Sequence, residues 1–557
     1  MAIKSLKIEN YKCLNLTIDE LAIPNGIVGS GLNIFVGENA TGKTSVLEVI
    51  NLMVDSAYTI QNRLSINDFC NPNEPIVFDF ELGSLTKFKL PETFRGSSVN
   101  AKGIGIEIKI RNNRSPGKLL STPLQIVSKA LTDDSNATTS TGGQSTANLD
   151  DFTLGFDVDR LEGGLNIFYF DKHRTRHVSK SSNYKNTFDR VLDDLSWKFH
   201  KKLRESITAE NDLFEKFNND FFELIIKTAQ EGAGSLVANE TAEFFNREDF
   251  KNVRIEFMNI LSPFENAFFA MRKNDELRQI FVNKLGAGVE MIFSLLFLKS
   301  IASASRGKMI YLIDEPEISL HPQAQKKLFD IILELSKDSQ VFVATHSPYF
   351  IDPDLVGNIF KFELDSDLSS QFKRYRDESL LTSKEKRIFD LEFSQIFFGN
   401  KIFAVEGFRD SERFSKFFSS IDQTFNDKYT VIKMDGKGDT KKYLKVLLGF
   451  DLDYKLILDL DVLTVKNDHE QNVISATFHG IFNEIADKIT QLNKSDRNSL
   501  KTNMLSDNEK DLKIEIIGLL EDKNIFVLSD GEIEDYLDAN GNPSDNDKKT
   551  ELEEFIK

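Results

Sequence analysis

A short segment near the N-terminus has the glycine and lysine spacing of a phosphate-binding loop. Residues Gly37–Thr44 read GENATGKT, which fits the pattern G-x-x-x-x-G-K-T. In this pattern the glycines let main-chain N–H groups approach phosphate oxygens, Lys43 reaches the terminal phosphates, and Thr44 supplies a hydroxyl ligand to magnesium. A hydrophobic strand precedes the loop and a helix follows it, as this chemistry requires. We therefore predict that the loop binds ATP or a close relative.

Acidic and histidine side chains follow two later hydrophobic strands. Asp314 and Glu315 follow the run MIYLI, where one carboxylate is placed to hold magnesium and the next to polarise an attacking water. After the next strand, VFVAT, comes His346, in a position that suits a sensor of the γ-phosphate. Exposed histidines are more often structural than catalytic, so a structural role for His346 stays open.

A second set of acids lies beyond residue 395. Glu406 directly follows the strand KIFAV, with Asp410 four residues later, and Asp459 and Asp461 follow the strand KLIL. Because side chains alternate along a strand with a period of two, we expect both aspartates to point the same way and to suit magnesium or manganese. A further apolar strand, NIFVL, precedes the acids of the segment GEIE, which ends at Glu534.

These strand-end acids have two interpretations. The carboxyl ends of parallel strands meet at the edge of a sheet where α/β proteins bind ligands. That arrangement would suit metal-assisted phosphodiester cleavage, in which cations neutralise the phosphate and activate water. The alternative is a set of solvated strand ends in an acidic chain, whose formal net charge is −18.

The strands that carry these residues alternate with helices, which predicts an α/β fold with parallel sheets. Residues 1–178 are predicted to form the first part of an ATPase domain, with an antiparallel segment inserted around residues 76–110, and residues 285–395 its second part. Residues 179–284 have apolar residues at helical spacing, which predicts a helical insertion whose phenylalanines pack internally or, alternatively, join subunits. Residues 396–557 form a Rossmann-like α/β domain.

Composition describes an ordinary globular chain of several domains. The 557 residues are 40% hydrophobic and 28% charged. The longest apolar run is too short to cross a bilayer, and the N-terminus alternates like a strand without the apolar core of a signal peptide, so we expect a cytoplasmic location and no membrane partner. The negative charge argues against a broad basic surface for nucleic acid but leaves room for local basic grooves. Cys13 and Cys70 are expected to be buried.

Residues 1 to 395 resemble the ABC ATPases, in the branch of DNA-repair and SMC-like ATPases. The resemblance implies that a signature loop from a second subunit completes each ATP site, and Leu285–Glu290 looks like its counterpart. Gly286 stands where the family has a serine that contacts the γ-phosphate, so hydrolysis is expected to be slow. The expected nucleotide or magnesium contacts are Gly37, Asn39, Gly42, Lys43, Thr44, Ser45, Gly286, Gly288, Asp314 and His346, with Glu315 as the catalytic carboxylate.

The pattern E-G-x-x-D followed by D-x-D resembles a Toprim domain, the metal-dependent fold shared by topoisomerases, primases and some nucleases. An SMC-like ATPase followed by a Toprim domain resembles the overcoming-lysogenization-defect (OLD) family of nucleases over nearly the whole chain. The resemblance implies that Glu406 is an acid–base or metal-binding group and that Asp459 and Asp461 bind metal. Further members it implies are Asp410 and Glu534 as ligands and a catalytic lysine near the C-terminus, for which Lys548 and Lys549 are candidates.

The function that this resemblance implies is that of an ATP-binding DNA endonuclease, which uses Mg²⁺ or Mn²⁺ to nick DNA or cut both strands. It also implies a homo-oligomer, a role in anti-phage defence, control by nucleotide, and a partner protein or nucleic-acid-containing sensor. The sequence has no zinc-ribbon cysteines for a primase and no recognisable nucleophilic tyrosine for a topoisomerase. The alternative from a different class is a non-catalytic ATP-dependent DNA clamp or scaffold, whose C-terminal acids are structural.

Overall fold

A computed structural model describes most of both ends of the chain and parts of its middle. The described residues are 2–53, 57–89, 98–110, 124–131, 165–170, 235–256, 268–272, 279–281, 288–289, 291–293, 295–296, 299, 308–375, 382–383, 386–399, 401–434, 436, 438–467, 473–475, 477–529 and 531–556. The chain divides into two compact units, the first comprising Met1–Phe35, Ala40–Phe350 and Leu364–Gln371, and the second comprising Val36–Asn39, Ile351–Glu363 and Phe372–Lys557.

The elements up to residue 344 are, in chain order, β1 (Ile3–Tyr11), β2 (Leu14–Ile18), β3 (Leu32–Gly37), α1 (Lys43–Leu52), α2 (Ala57–Arg63), β4 (Ile76–Lys89), β5 (Ser98–Ile110), β6 (Leu124–Leu131), β7 (Leu165–Phe170), α3 (Ser235–Phe245), β8 (Val253–Glu256), β9 (Phe268–Arg272), β10 (Gln279–Phe281), β11 (Lys308–Asp314), α4 (Pro322–Leu335) and β12 (Gln340–Ala344).

Those that follow are β13 (Ile359–Leu364), β14 (Ser370–Arg374), β15 (Lys401–Val405), α5 (Phe408–Ile421), α6 (Phe425–Lys428), β16 (Tyr429–Lys433), α7 (Thr440–Gly449), β17 (Asp453–Leu458), β18 (Val465–Asn467), β19 (Val473–Ser475), α8 (Asn483–Leu492), α9 (Asp507–Glu521), β20 (Ile525–Val527), α10 (Ile533–Tyr536) and α11 (Asn546–Ile556).

The first unit contains a parallel and an antiparallel group of strands. Strands β3, β12, β11 and β7 are parallel neighbours, and the side chains of β12 are buried along its whole length, as expected for strands covered on both faces. Strands β6, β5, β4, β1 and β2 form an antiparallel series in that order. The antiparallel segment predicted around residues 76–110 is therefore confirmed as β4 and β5.

The helical prediction for residues 179–284 needs correction in its described part. Residues 179–234 lie outside the described residues, and α3 follows them. Beyond α3, however, β8, β9 and β10 form a three-stranded antiparallel sheet. The segments FFAMR and QIF are too short for a helical period to be told from a strand, and here cross-strand pairing prevails.

The second unit is built around a four-stranded parallel sheet in the order β16, β15, β17, β20. Strand β15 is buried from its second residue onward, and α5 packs its own apolar face against the aromatic core of this unit. That face carries Phe414, Phe417 and Phe418, whose spacing of three and four residues places them on one side of the helix. Helices alternating with parallel strands in both units confirm the predicted α/β class.

Two further expectations concern the surface. Among the helices that the structure describes, none combines the length and apolar composition needed to span a bilayer. Cys13 is half-buried, with its Sγ 3.0 Å from Oγ of Ser370, whereas Cys70 is exposed. The expectation that both thiols are buried is wrong for Cys70, because it follows Phe69, the residue that bridges to Tyr11, in a surface turn.

Candidate functional site

Two glycines of the loop Gly37–Thr44 have main-chain angles and surroundings that exclude other residues. Gly42 has a φ of +98°, and a Cβ there would lie 2.6 Å from Oγ of Ser370. Gly37 has a φ of +130°, and a Cβ there would lie 2.1 Å from the carbonyl oxygen of Phe362. Because glycine alone adopts such angles without strain, the backbone path of the loop requires this glycine spacing.

The threonine of the loop is hydrogen-bonded to the carboxylate that ends β11. Thr44 Oγ1 donates to Oδ1 of Asp314 at 3.0 Å and to Oδ2 at 3.1 Å. Lys43 is 5% exposed, and its Nζ lies 3.5 Å from Oγ1 of Thr41. A hydroxyl and a carboxylate side by side are the protein ligands that magnesium takes beside a nucleotide. Two parts of the predicted nucleotide site that are far apart in the sequence are thus brought together.

The structure describes most of the other predicted nucleotide contacts, and these differ in exposure. Asn39 is exposed at the tip of the loop, and Ser45 is half-buried in the first turn of α1. Gly286 lies outside the described residues. A Cβ on Gly288 would lie 2.9 Å from Cδ2 of Leu320 and 3.0 Å from the carbonyl oxygen of Ser319. Gly288 therefore packs closely against the loop that follows β11 in its own chain.

The residues that follow β11 and β12 are connected through the main chain. Glu315 has a φ of +46°, and its N–H donates to the carbonyl of Ala344 at 2.8 Å. Because β11 and β12 are neighbouring parallel strands, this bond ties Glu315 to the strand that leads to His346. Glu315 and His346 therefore lie just beyond the ends of β11 and β12, which this hydrogen bond joins.

A buried carboxylate holds the segment that contains His346. Glu317 Oε1 accepts a hydrogen bond from the N–H of His346 at 2.6 Å, and its Oε2 accepts one from Oγ1 of Thr345 at 2.8 Å. Burial raises the pKa of Glu317, and these two bonds oppose the shift. Sequence reasoning gave Glu317 no role, although it is the second glutamate of an Asp-Glu-Pro-Glu segment that follows a buried strand, which was a usable signal.

Glu406 and Asp459 lie side by side at the carboxyl edge of the sheet in the second unit. Strands β15 and β17 are parallel neighbours, with Val405 opposite Ile457. The residues that follow these two strands therefore meet, and the N–H of Asp459 donates to Oε1 of Glu406 at 3.0 Å. The predicted convergence of these two acids is confirmed.

Asp461 lies close to Asp459, but not for the reason expected, which was the alternation of side chains along a strand. Strand β17 ends at Leu458, and Asp459 is the N-cap of a 3₁₀ turn, Leu460–Leu463, that contains Asp461. Strand alternation therefore does not apply to this pair. The turn nevertheless brings the two carboxylates close enough for the charge of Asp461 to raise the pKa of Asp459.

Negative charge concentrates around Asp459. Burial, the largest cause, and the charges of neighbouring carboxylates together raise its pKa to about 8. Those carboxylates are Glu406, Asp410, Asp461 and Glu532. The pKa of Asp410 is also raised, first by burial and then by the charge of Glu534. Like charges held together at a sheet edge are typical of sites that bind a cation.

The GEIE segment forms a turn whose two glutamates pair with arginines. Arg413 Nη1 lies 2.7 Å from Oε1 of Glu534, and Arg497 forms an ion pair with Glu532. Glu532 was not among the predicted site residues, yet its charge raises the pKa of Asp459. The sequence signal that could have identified Glu532 is the apolar strand before the segment, because that strand precedes both glutamates.

The path of this turn depends on its glycine. Gly531 has a φ of +156°, and a Cβ there would lie 2.0 Å from Oδ2 of Asp535. The carbonyl of Gly531 accepts a hydrogen bond from the N–H of Leu460 at 3.0 Å. The turn that carries the late acids is therefore bonded to the turn that carries Asp461.

The donor chemistry of this edge suits a hard divalent cation, although the side chains are not arranged as a closed cage. In the part of the chain that the structure describes, no group of three His, Cys, Asp or Glu side chains is positioned to hold a metal ion. The carboxylates around Asp459 nevertheless supply the oxygen donors that Mg²⁺ and Mn²⁺ prefer. The chemistry of these donors therefore fits such a cation.

The two candidate lysines near the C-terminus have different partners. Lys548 Nζ donates to the carbonyl of Asp535 at 2.8 Å and lies 5.1 Å from the centroid of the Tyr536 ring. Lys549 Nζ instead lies 3.6 Å from Oε1 of Glu553, one turn along the same helix. Of the two, Lys548 contacts the helix that carries Glu534.

Comparisons with known proteins match both parts of the chain. The family described as AAA ATPase domain matches residues 1–141 and 165–351, and the overcoming lysogenization defect protein-like TOPRIM domain matches residues 397–461. An OLD nuclease of Thermus scotoductus is 20% identical over 478 residues, which cover 83% of this chain and 82% of that protein. The Old nuclease of Escherichia phage P2 is 22% identical over 284 residues, which cover 45% of this chain and 48% of that protein.

Among solved structures, the Smc head bound to the C-winged helix domain of ScpA is 16% identical, with 67% of this chain and 97% of that chain covered and a TM-score of 0.39. The family matches together cover the nucleotide loop, the strand end at Asp314 and the acids from Glu406 to Asp461. The chain therefore belongs to the AAA ATPase domain family, and it joins that ATPase to a TOPRIM domain of the overcoming-lysogenization-defect (OLD) type.

Proposed function

We propose that this protein is an ATP-binding, divalent-metal-dependent DNA endonuclease that nicks DNA or cuts both strands. The observation that carries the proposal is the set of carboxylates around Asp459 at the carboxyl edge of a parallel sheet, where burial and like charge raise its pKa to about 8. Two relatives named OLD nuclease support it, and one of them is similar over most of both chains.

The TOPRIM residues would divide the work of cleavage. We assign Asp459 and Asp461 to holding the cation, with Asp410 and Glu534 as further ligands, and Glu406 to acid–base work or cation binding. A bound Mg²⁺ or Mn²⁺ would neutralise the phosphate charge and activate the attacking water. The main-chain bond from Asp459 keeps the Glu406 carboxylate at the same edge as the cation ligands, where a proton must be moved.

The ATPase residues would control cutting rather than perform it. We assign Lys43, Thr44 and Asp314 to holding the nucleotide phosphates and their magnesium, and Glu315 to polarising water. The hydrogen bond from Thr44 to Asp314 and the burial of Lys43 support this assignment. We propose that the signature loop with Gly286 and Gly288 completes the ATP site of a second subunit, which makes the protein a dimer or tetramer. The missing serine at Gly286 supports slow hydrolysis.

The biological setting and the domain limits are also proposals. We propose a cytoplasmic location. The OLD resemblance supports an anti-phage defence effector that is triggered by a partner protein or a nucleic-acid-containing sensor. We propose an ATPase formed by residues 1–178 and 285–395, an insertion at 179–284 that joins subunits, and a nuclease domain at 396–557. The family matches at residues 1–141, 165–351 and 397–461 support the order of an ATPase followed by a TOPRIM domain.

The test is cleavage of supercoiled, linear and single-stranded DNA with Mg²⁺ or Mn²⁺, with and without ATP. The Asp459→Asn variant should lose cleavage while binding ATP as the wild type does. Asp511→Asn, which changes an exposed aspartate on α9 in the same unit, should cut normally. A wild-type protein that cuts none of these DNA forms with either metal would refute the proposal.

The ion pairs of the GEIE turn favour one alternative. Arg413 and Arg497 neutralise Glu534 and Glu532, as expected of acids that serve structure. The chain would then be a non-catalytic ATP-dependent DNA clamp or scaffold. In the same assays a clamp would bind DNA in response to ATP without cutting it, and Asp459→Asn would change neither property.

A further inference from the structure

One aromatic side chain stands exposed two residues after Glu406. Phe408 is 60% exposed, and within the described ranges it is the one aromatic residue among the strongly exposed large apolar side chains. The chain has 47 phenylalanines, and Phe414, Phe417 and Phe418 of the same helix are each 1% exposed. The abundance of phenylalanine in the chain therefore does not by itself explain why Phe408 is exposed.

Phe408 occupies the edge of the sheet where the acids meet. It follows Glu406 by two residues and is the first residue of α5, whose first turn also holds Asp410. Gly407 between them is the helix N-cap and has extended backbone angles. Phe408 therefore begins the helix that follows Glu406, the residue whose carboxylate accepts a hydrogen bond from the main chain of Asp459.

A cation accompanies the exposed ring. Lys433 Nζ lies 5.0 Å from the centroid of Phe408. Lys433 is the last residue of β16 and stands opposite Val405 in the sheet, so it reaches the same edge as Glu406. It also lies 2.9 Å from Glu392, and its side chain is 34% exposed. A ring that can stack on a base, together with an amine that can meet a phosphate, is the combination that single-stranded nucleic-acid sites use.

We propose that Phe408 stacks on an unpaired base next to the cleaved phosphate and that Lys433 contacts the adjoining phosphate. The substrate class is then DNA with an unstacked nucleotide at the cut, and this rests on the proposed nuclease function. In an intact duplex both faces of a base are covered by neighbouring base pairs. The ring can therefore stack on a base of a single strand, on a base exposed at a gap, or on a flipped-out base.

Binding by the full-length protein without divalent metal tests the stacking directly. Fluorescence anisotropy would compare a labelled single strand with a blunt duplex of the same sequence. Phe408→Ala should weaken single-strand binding by about tenfold, whereas duplex binding should change by less than about twofold. Ile421→Ala is the matched control, because Ile421 is 41% exposed at the other end of the same helix, and it should bind like the wild type.

Phe408→Trp should retain single-strand binding, and its tryptophan emission should be quenched by the strand. The chain has one other tryptophan, so the difference from the wild type reports on position 408. A merely structural ring would give no such quenching. Since Phe408 is largely exposed, the melting temperatures of all three variants should match that of the wild type.

Equal single-strand binding by Phe408→Ala and the wild type overturns the inference, as does an equal loss for single strand and duplex. Cleavage assays with Mg²⁺ or Mn²⁺ separate this failure from that of the proposed function. If the wild type cuts no DNA, the nuclease assignment fails, and the binding measurements still decide the role of Phe408. If the wild type cuts and Phe408→Ala cuts single strands at the same rate, the assignment of Phe408 fails alone.

Discussion

The main-chain N–H of Asp459 donates a hydrogen bond to Oε1 of Glu406 over 3.0 Å. The donor belongs to the backbone, so a change of the Asp459 side chain leaves this bond in place. It keeps two strand ends together although their carboxylates repel each other. The Asp459 side chain can therefore be altered without loss of this bond between the strand ends, and the predictions for Asp459 depend on this.

The stability of the metal-free protein should fall as pH rises. The pKa of Asp459 is raised to about 8 in the folded chain from an ordinary value of 3.8, so the folded state binds this proton more tightly than the unfolded state. The stability contributed by Asp459 is present below pH 3.8 and is lost as pH rises through 8. Thermal melting in EDTA should show a decrease of a few degrees, on the order expected for such a shift, between pH 6 and pH 9.

Asp459→Asn should flatten this trend, because the amide does not ionise, whereas Asp511→Asn should preserve it. A wild-type melting temperature that stays level or rises over the same range would contradict the assigned environment of Asp459.

The affinity for Mg²⁺ or Mn²⁺ should rise with pH up to about 8. A cation competes with the proton that Asp459 retains at neutral pH, so binding must release that proton. Isothermal titration calorimetry in buffers of different ionisation enthalpy measures the release, which should be substantial at pH 7 and small at pH 9. Proton release that does not change over this range would argue against Asp459 as a ligand.

Lys43→Ala should all but abolish ATP binding and leave the metal site of the second unit intact. Lys43 is 5% exposed in the phosphate loop, and loss of its charged hydrogen bonds should weaken ATP binding by about 100-fold. Binding of a fluorescent ATP analogue and calorimetric titration with Mn²⁺ measure the two sites separately. A variant that lost Mn²⁺ binding as well would refute the division between control and cleavage.

Glu317→Gln should reduce ATP turnover more than ATP affinity. The amide nitrogen of glutamine cannot accept the hydrogen bond from Thr345, so the segment with His346 loses one of its two links to this side chain. Steady-state ATPase assays and nucleotide titrations make the comparison. Glu334→Gln, on the exposed face of α4, is the control and should hydrolyse ATP like the wild type. An equal turnover in both variants would show that Glu317 does not hold His346 in a position that ATP turnover requires.

Lys361→Met should stabilise the protein at neutral pH. Lys361 is 1% exposed in β13, its Nζ has no hydrogen-bond partner among the described residues, and burial lowers its pKa to about 8. Removing a buried, unpaired amine removes its desolvation cost, so the melting temperature should rise. Lys373→Met is the control, since Lys373 lies 2.8 Å from Glu363 in an ion pair, and this change should bring no gain. A destabilised Lys361→Met would show that the amine has a stabilising role.

The strands and the main acids could be predicted because the information is local. Glu406 and Asp459 each directly follow a short apolar run, and parallel strands bring such positions together whatever lies between them. The arrangement of Asp459 and Asp461 could not be derived in the same way, because the strand ends at Leu458 and the chain turns there.

Partners distant in the sequence escaped prediction for a different reason. Glu317 and His346 are joined across a helix and a strand, and Arg497 meets Glu532 from a separate loop, so no spacing rule connects them. The helical prediction for the insertion was wrong where short aromatic segments form cross-strand pairs instead of a helix. Such choices depend on tertiary contacts, which the sequence pattern does not contain.

The hydrogen bond from the N–H of Leu460 to the carbonyl of Gly531 makes the two acid-bearing turns mechanically continuous. No side chain takes part in this hydrogen bond, so an alanine scan of the whole domain would not detect it. We expect a displacement of one turn to be transmitted to the other through this main-chain hydrogen bond. Replacing the amide of Leu460 with an ester would be the way to detect that transmission, because it deletes the donor while every side chain stays as it is.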